Sequence, residues 1–199
     1  MLLAVRKMSA SSSSVAALAD TLHQVYLGIG SNIDARRNIK SALQVLKGDD
    51  KKLLISETYR CEAVGFEGPP FLNLVVGFLT DKDLGELSRD LKRLEQNHGR
   101  TKDLRKFSSR TLDIDILTYD SLQGLHQGIQ LPRPEISYNA YVLRPFAELA
   151  PELLLPGSNN RLMDLWHDLK VGLENGLDKI SNENLGKTAH SLVRMSICW

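Results

Sequence analysis

The segment Arg110-Thr111-Leu112-Asp113-Ile114-Asp115-Ile116-Leu117 constrains this chain more than any other. A strand repeats every two residues, so Asp113 and Asp115 leave one face while Leu112, Ile114 and Ile116 leave the other. Such a strand belongs in a sheet with one face sealed by apolar packing and two neighbouring carboxylates on the opposite face. Like charges that close need a cation. Hard oxygen ligands on a rigid strand suit Mg²⁺, which keeps several waters and takes its remaining ligands from phosphate oxygens. Standing alone, an Asp-x-Asp strand is more often a solvated face with two ordinary acids, so the flanking residues decide.

Those flanks are basic. Between positions 89 and 110 the chain carries Arg89, Lys92, Arg93, Arg100, Lys102, Arg105, Lys106 and Arg110 against Asp90, Glu95 and Asp103. Residues 99–109 lack apolar periodicity and are expected to form a mobile loop between a helix and the Asp-x-Asp strand. A basic loop beside a metal site suits a phosphate clamp, because guanidinium groups grip phosphate oxygens bidentately and a closing loop excludes water. A charge run on its own is usually a solvated face. An RNA-binding face is the other contender, since RNA-recognition domains share the sheet order. Neither central strand, however, carries the aromatic-rich segment such domains need, and a net charge of +1 provides no whole-molecule field for nucleic acid or anionic membrane.

The remaining segments point to an α+β fold. Residues 25–29 read as a buried strand running into Gly28, Gly30, Ser31 and Asn32, a combination suited to a tight turn before a helix that reaches about residue 46. Residues 53–59 and 71–80 read as strands separated by a loop with Gly65, Gly68, Pro69 and Pro70, a candidate binding element. From 83 to 98, Leu84, Leu87, Leu91 and Leu94 recur at helical spacing. Residues 111–119 form a further strand, 124–131 a short hairpin or loop closing on Pro132 and Pro134, and 140–149 a short helix. The order strand, helix, strand, strand, helix, strand gives a ferredoxin-like βαββαβ sandwich with extra edge strands and C-terminal helices.

At 199 residues the chain fits one domain. Residues 25–172 are expected to form it, with a flexible extension over 1–24 and a tail over 173–199. The start is Ser-rich and places its apolar stretch before Arg6 and Lys7, the reverse of a secretory signal; an organelle transit peptide and a dispensable extension both stay open. Cys61 and Cys198 lie far apart without metal-ligand spacing, so a reducing compartment, the cytoplasm, is expected. No apolar run is long enough to span a bilayer.

Several partial matches carry little. Gly28-Ile29-Gly30 begins like a dinucleotide fingerprint, but Ile33 stands at the third glycine position. Gly186-Lys187-Thr188 ends like a P-loop, but Ser181 replaces its first glycine. The five histidines form no HExxH spacing, and no Ser or Cys sits in a nucleophile elbow.

Over residues 25–166 the chain resembles the 6-hydroxymethyl-7,8-dihydropterin pyrophosphokinases. The carriers are Leu27-Gly28-Ile29-Gly30-Ser31-Asn32, Ser56-Glu57-Thr58-Tyr59-Arg60, Phe71-Leu72-Asn73, Glu95-Gln96-Asn97-His98-Gly99-Arg100, the Arg110 to Ile116 segment, and Ala147-Glu148-Leu149-Ala150-Pro151. The resemblance implies transfer of diphosphate from ATP to the pterin, with two Mg²⁺ ions on Asp113 and Asp115. It implies that Arg100 and Arg110 hold the triphosphate and act in catalysis, with Lys92, Glu95, Ile116 and Arg133 also on the nucleotide. It places the pterin between Phe71 and Tyr141, read by Asn73 and by backbone near Val64 and Gly65, with Phe107 on the lid loop. A small-molecule pterin, ATP, no nucleic acid, no membrane and a monomer are the expected partners and state. Many members carry a His where Arg133 stands and an Arg where Asn139 stands; Arg133 and Arg144 are the cations available to replace that charge. Those changes also motivate a non-catalytic or altered-specificity pterin or nucleotide binder as the alternative.

Overall fold

The computed structural model describes residues 22–48, 52–100, 108–174 and 192–197. Strand β1 (His23–Ser31) alternates as its sequence dictates, burying Val25, Leu27 and Ile29 against two helices. It is the central strand of an antiparallel sheet, flanked by β4 (Phe71–Thr80) and β5 (Asp113–Tyr119). β3 (Thr58–Cys61) pairs with the outer side of β4, β8 (Val193–Met195) pairs with β3, and the two-residue β2 (Leu54–Ile55) pairs with β4. Counting β2 and β3 as one interrupted strand, the four main strands lie in the order fourth, first, third, second, which is the ferredoxin-like arrangement.

The expected strand over 53–59 is broken at Ser56. Its backbone N–H donates to Val75 O and its Oγ accepts the Val75 N–H, both at 2.9 Å, so a side chain replaces one ladder bond. A second irregularity lies on β5, where Tyr26 faces Thr118 but Leu27 faces Ile116. Leu117 is the extra residue of this bulge, and it turns to the face opposite Ile116.

Helices α1 (Ala35–Lys47) and α2 (Leu84–Asn97) cover one face. α2 buries the Leu84, Leu87, Leu91 and Leu94 stripe and begins with a capping box, in which Asp83 accepts the Glu86 N–H at 2.8 Å and Glu86 accepts the Asp83 N–H at 3.2 Å. Each fully buried leucine or isoleucine on this face contributes about 1.5–3 kcal/mol relative to an exposed one. The other face is covered only in part, by α3 (Ala140–Leu149) and α4 (Leu162–Glu174), which pack on Tyr26, Val75 and Leu117. The short hairpin β6 (Gly124–His126) and β7 (Ile129–Leu131) follows β5.

The tail expected over 173–199 does not stay separate, because Val193–Met195 extends the sheet as β8. α4 is a helix that periodicity did not single out. The expected extension falls mostly on residues outside those described, and β1 already begins at His23. Among the described residues no helix is long and apolar enough to cross a membrane.

Candidate active site

On the half-covered face the register sets residues side by side. Gly30 lies between Asn73 on β4 and Asp113 on β5, and Gly28 lies between Val75 and Asp115. The two glycines leave the middle strand bare, and the neighbouring side chains rise around it as the walls of a cleft of about 560 Å³. A Cβ at Gly30 would stand 3.1 Å from Asn73 Oδ1, and one at Gly28 would stand 3.3 Å from Leu117. Side chains there would fill the floor.

The acids are held by arginines. Asp113 Oδ1 lies 2.8 Å from Arg100 Nη1 and 4.0 Å from Arg110 Nε, while Asp115 Oδ1 lies 2.9 Å from Arg133 Nη2. Arg133 also contacts Glu135 at 3.4 Å. Behind them Glu95 is buried, accepts the Ile114 N–H at 2.8 Å and pairs with Arg100, so α2 is stitched to β5 midway between the two aspartates. Burial raises the Glu95 pKa, with Asp113 adding to it against the Ile114 N–H and Arg100. Asp115 is likewise raised, by the protein atoms walling its carboxyl and then by Asp113, with Arg133 opposing. A carboxyl held above its ordinary range, as Asp115 is, gains from a cation brought beside it.

Among the described residues no group of three or more His, Cys, Asp or Glu gathers as a metal cage. Two strand-borne carboxylates opening on a cleft, with no further protein ligand, are the donor set of a Mg²⁺ that takes its other ligands from water and phosphate. The residues fit that ion.

Arg110 owes its place to the turn after β1. Asn32 accepts the Arg110 N–H through Oδ1 at 2.6 Å, donates from Nδ2 to Pro69 O at 2.9 Å and to Ser109 Oγ at 3.1 Å, and its own N–H donates to Arg110 O at 3.0 Å. Ser31 Oγ donates to Thr111 O at 2.6 Å.

A second cleft, of about 490 Å³, runs along α2 and is lined by Lys92, Glu95, Arg100 and Ile116 among others. It shares Arg110, Asp115 and Arg133 with the first, so Asp115 sits where two clefts meet, with Asp113 beside it on the wall of the first. Val64, Phe71, Asn73 and Tyr141 line the first cleft. Gly65 is exposed in a left-handed turn at φ 78° and is not part of its wall. Phe107 lies outside the described residues. Arg144 is in neither cleft: its guanidinium stacks over Tyr59 and Trp166, at 4.6 and 5.5 Å from the ring centroids, and pairs with Glu148 at 3.5 Å. Of the two cations proposed to restore charge, only Arg133 reaches the site.

The cleft also uses residues that sequence reasoning passed over. Phe66 meets Phe71 edge to face with centroids 6.3 Å apart. Cys61 Sγ accepts a hydrogen bond from Asn73 Nδ2 at 3.1 Å, and burial pushes its thiol up to about 11. Glu135 gave no signal at all. Cys61 adjoins, and Phe66 lies within, the Gly/Pro loop already marked as a binding element, the one clue available.

The sequence pattern of the family described as 7,8-dihydro-6-hydroxymethylpterin-pyrophosphokinase (HPPK) matches residues 26–151. A 2-amino-4-hydroxy-6-hydroxymethyldihydropteridine pyrophosphokinase of Synechocystis sp. is 31% identical over 72% of this chain and 74% of its own length. One of Pseudomonas aeruginosa is 33% identical over 68% of this chain and 85% of its own. The crystal structure of Plasmodium falciparum HPPK-DHPS with pterin and p-hydrobenzoate superposes with a TM-score of 0.65 at 13% identity, over 88% of this chain, which spans 48% of that longer protein. The matched span includes β1, β4, α2, β5 and α3, the elements that carry both clefts, and the chain belongs to the 7,8-dihydro-6-hydroxymethylpterin-pyrophosphokinase family.

Proposed function

We propose that this chain transfers the terminal diphosphate of ATP to the hydroxymethyl group of 6-hydroxymethyl-7,8-dihydropterin, giving the pterin diphosphate and AMP, a step of folate biosynthesis. The observation that carries this is the acid pair Asp113 and Asp115, the latter at the junction of two clefts, ringed by Arg100, Arg110 and Arg133. Phe71 and Tyr141 would hold a flat ring over the Gly28 and Gly30 floor, with Asn73 at its polar edge. Arg100, Arg110 and Arg133 would hold the phosphates in the second cleft. Asp113 and Asp115 would hold two Mg²⁺ ions, which when bound neutralise charge on the transferring phosphates. The pterin hydroxyl then attacks the β-phosphorus, the bond from that phosphorus to the α-phosphate oxygen breaks, and AMP leaves. Positioning and electrostatic stabilisation supply the acceleration.

Glu95 acts from behind. By fixing both the Ile114 N–H and Arg100 it sets the spacing between the metal strand and the nearest phosphate-binding group.

A second function, a non-catalytic or altered-specificity binder, is favoured by one observation. Asn139 contributes no cation to either cleft and instead holds Tyr141. AMP release from ATP and the pterin, measured with and without Mg²⁺, separates the two: Mg²⁺-dependent AMP supports the transferase, and binding of both ligands without AMP supports the alternative.

A further inference from the structure

We infer that Arg133 is the built-in counter-cation of Asp115, which a divalent ion must displace, and that Glu135 is a positioning residue that takes up the displaced guanidinium. The inference rests on the metal assignment above. The backbone of Arg133 is tied to the strand that carries the acids, its N–H donating to Leu117 O at 2.9 Å. Leu117 is the bulge residue of β5, just beyond Asp115. Pro134–Ser137 then forms a tight 3-10 turn, which brings Glu135 round to the same guanidinium. One nitrogen, Nη2, faces both acids, at 2.9 Å from Asp115 Oδ1 and 3.4 Å from Glu135 Oε1. With the backbone fixed, only the side chain has to tilt for the closer contact to change hands.

The two acids differ in what else they can do. Among the described residues Arg133 is the only cation within ion-pair distance of either. Asp115 opens on both clefts, where metal and phosphate would arrive, whereas Glu135 lines only the first and keeps its Oε2 buried without a hydrogen-bond partner. A divalent ion on Asp115 would stand next to a guanidinium, and like charges that close repel. Arginine stays charged at every working pH, so the metal gains the acid only by moving it. A carboxylate with one oxygen buried and unpaired gains from drawing the same cation closer. Held there by one edge, the guanidinium keeps its other N–H groups for phosphate oxygens.

The test is a double-mutant cycle in the full chain with Arg133→Gln, Glu135→Gln and the pair. The probe is Mn²⁺, which takes the same oxygen ligands as Mg²⁺, titrated without nucleotide and read as free ion by electron paramagnetic resonance, with the melting midpoint as control. Arg133→Gln should bind Mn²⁺ about three- to fivefold more tightly, the scale of one part-exposed ion pair. Glu135→Gln should bind it about threefold more weakly, because Arg133 then has Asp115 alone. In the pair Glu135→Gln should add nothing to Arg133→Gln, since it acts through the guanidinium that is already gone. Unchanged or weaker Mn²⁺ binding in Arg133→Gln overturns the inference, as does an additive pair, which is the mark of two charges acting only through their fields. Should Arg133→Gln not fold, Glu135→Gln alone decides, since unchanged Mn²⁺ affinity in that variant leaves Glu135 no part. Wild-type Mn²⁺ binding that survives Asp115→Ala defeats the metal assignment itself; binding that needs Asp115 but ignores position 133 defeats only the displacement.

Discussion

The two faces of one sheet have been put to opposite uses. Towards α1 and α2, β1, β4 and β5 present Leu27, Ile29, Leu74, Val76, Ile114 and Ile116, all buried and all apolar. Towards the cleft, the residues between them are Gly28, Gly30, Asn73, Val75, Asp113 and Asp115. The same strands thus carry a continuous seal on one side and a sorted row on the other, with Asn73 and Val75 on β4, bare backbone on β1 and acids on β5. Period two makes this possible, because a change on one face leaves the other untouched.

Breaking the comparison from the cleft side should abolish turnover without touching the seal. Asp113→Ala or Asp115→Ala should lower AMP formation on the order of a thousandfold or more, the scale of losing a metal ligand at a charge-transfer step, while the melting midpoint stays near wild type. Wild-type activity at limiting Mg²⁺ in either variant would remove the metal assignment. From the other side, Leu74→Ala should cost about 2–5 kcal/mol in denaturant unfolding, because a residue 1% exposed leaves a cavity that its neighbours cannot fill. A loss below that range would mean that this face relaxes and is less well packed than it looks.

Cys61 sharpens the comparison, since it lines the cleft yet is buried. With its thiol raised from 9.0 to about 11, the folded state favours the protonated form. Its contribution to stability is full below the unfolded value and is lost as pH rises through the folded one. Alkylation of Cys61 by iodoacetamide at pH 8, followed by peptide mass spectrometry, should be about a hundredfold slower in the native than in the unfolded chain. Equal rates would contradict its burial. The smallest effect is expected at Gly30→Ala, whose Cβ would press on Asn73 Oδ1 at 3.1 Å and intrude on the floor. Pterin binding should weaken roughly tenfold while the seal holds, since loss of one polar contact is worth about that much.

What the sequence disclosed follows the same division. The alternation on β5 and the leucine stripe on α2 are local periodicities, and they give the sheet, its covered face and the side on which the acids stand. Glu95 reads as an ordinary helix-end acid, because only the approach of α2 to β5 buries it beneath Ile114. Arg144 looks like a spare cation until the fold turns it onto Tyr59 and Trp166. β8 is three residues long and pairs with a strand more than a hundred positions earlier, so no local pattern announces it. Tertiary approach is what a period cannot encode.

The clasp at Asn32 has an effect on how two substrates would sense one another. A single amide moors both the Pro69 loop, which leads into Phe71 of the first cleft, and the backbone of Arg110, whose side chain lines both clefts. Displacing either mooring line would strain the other, so occupancy of one cleft would be felt in the other through a shared anchor. Any such coupling works equally in both directions, whichever ligand arrives first.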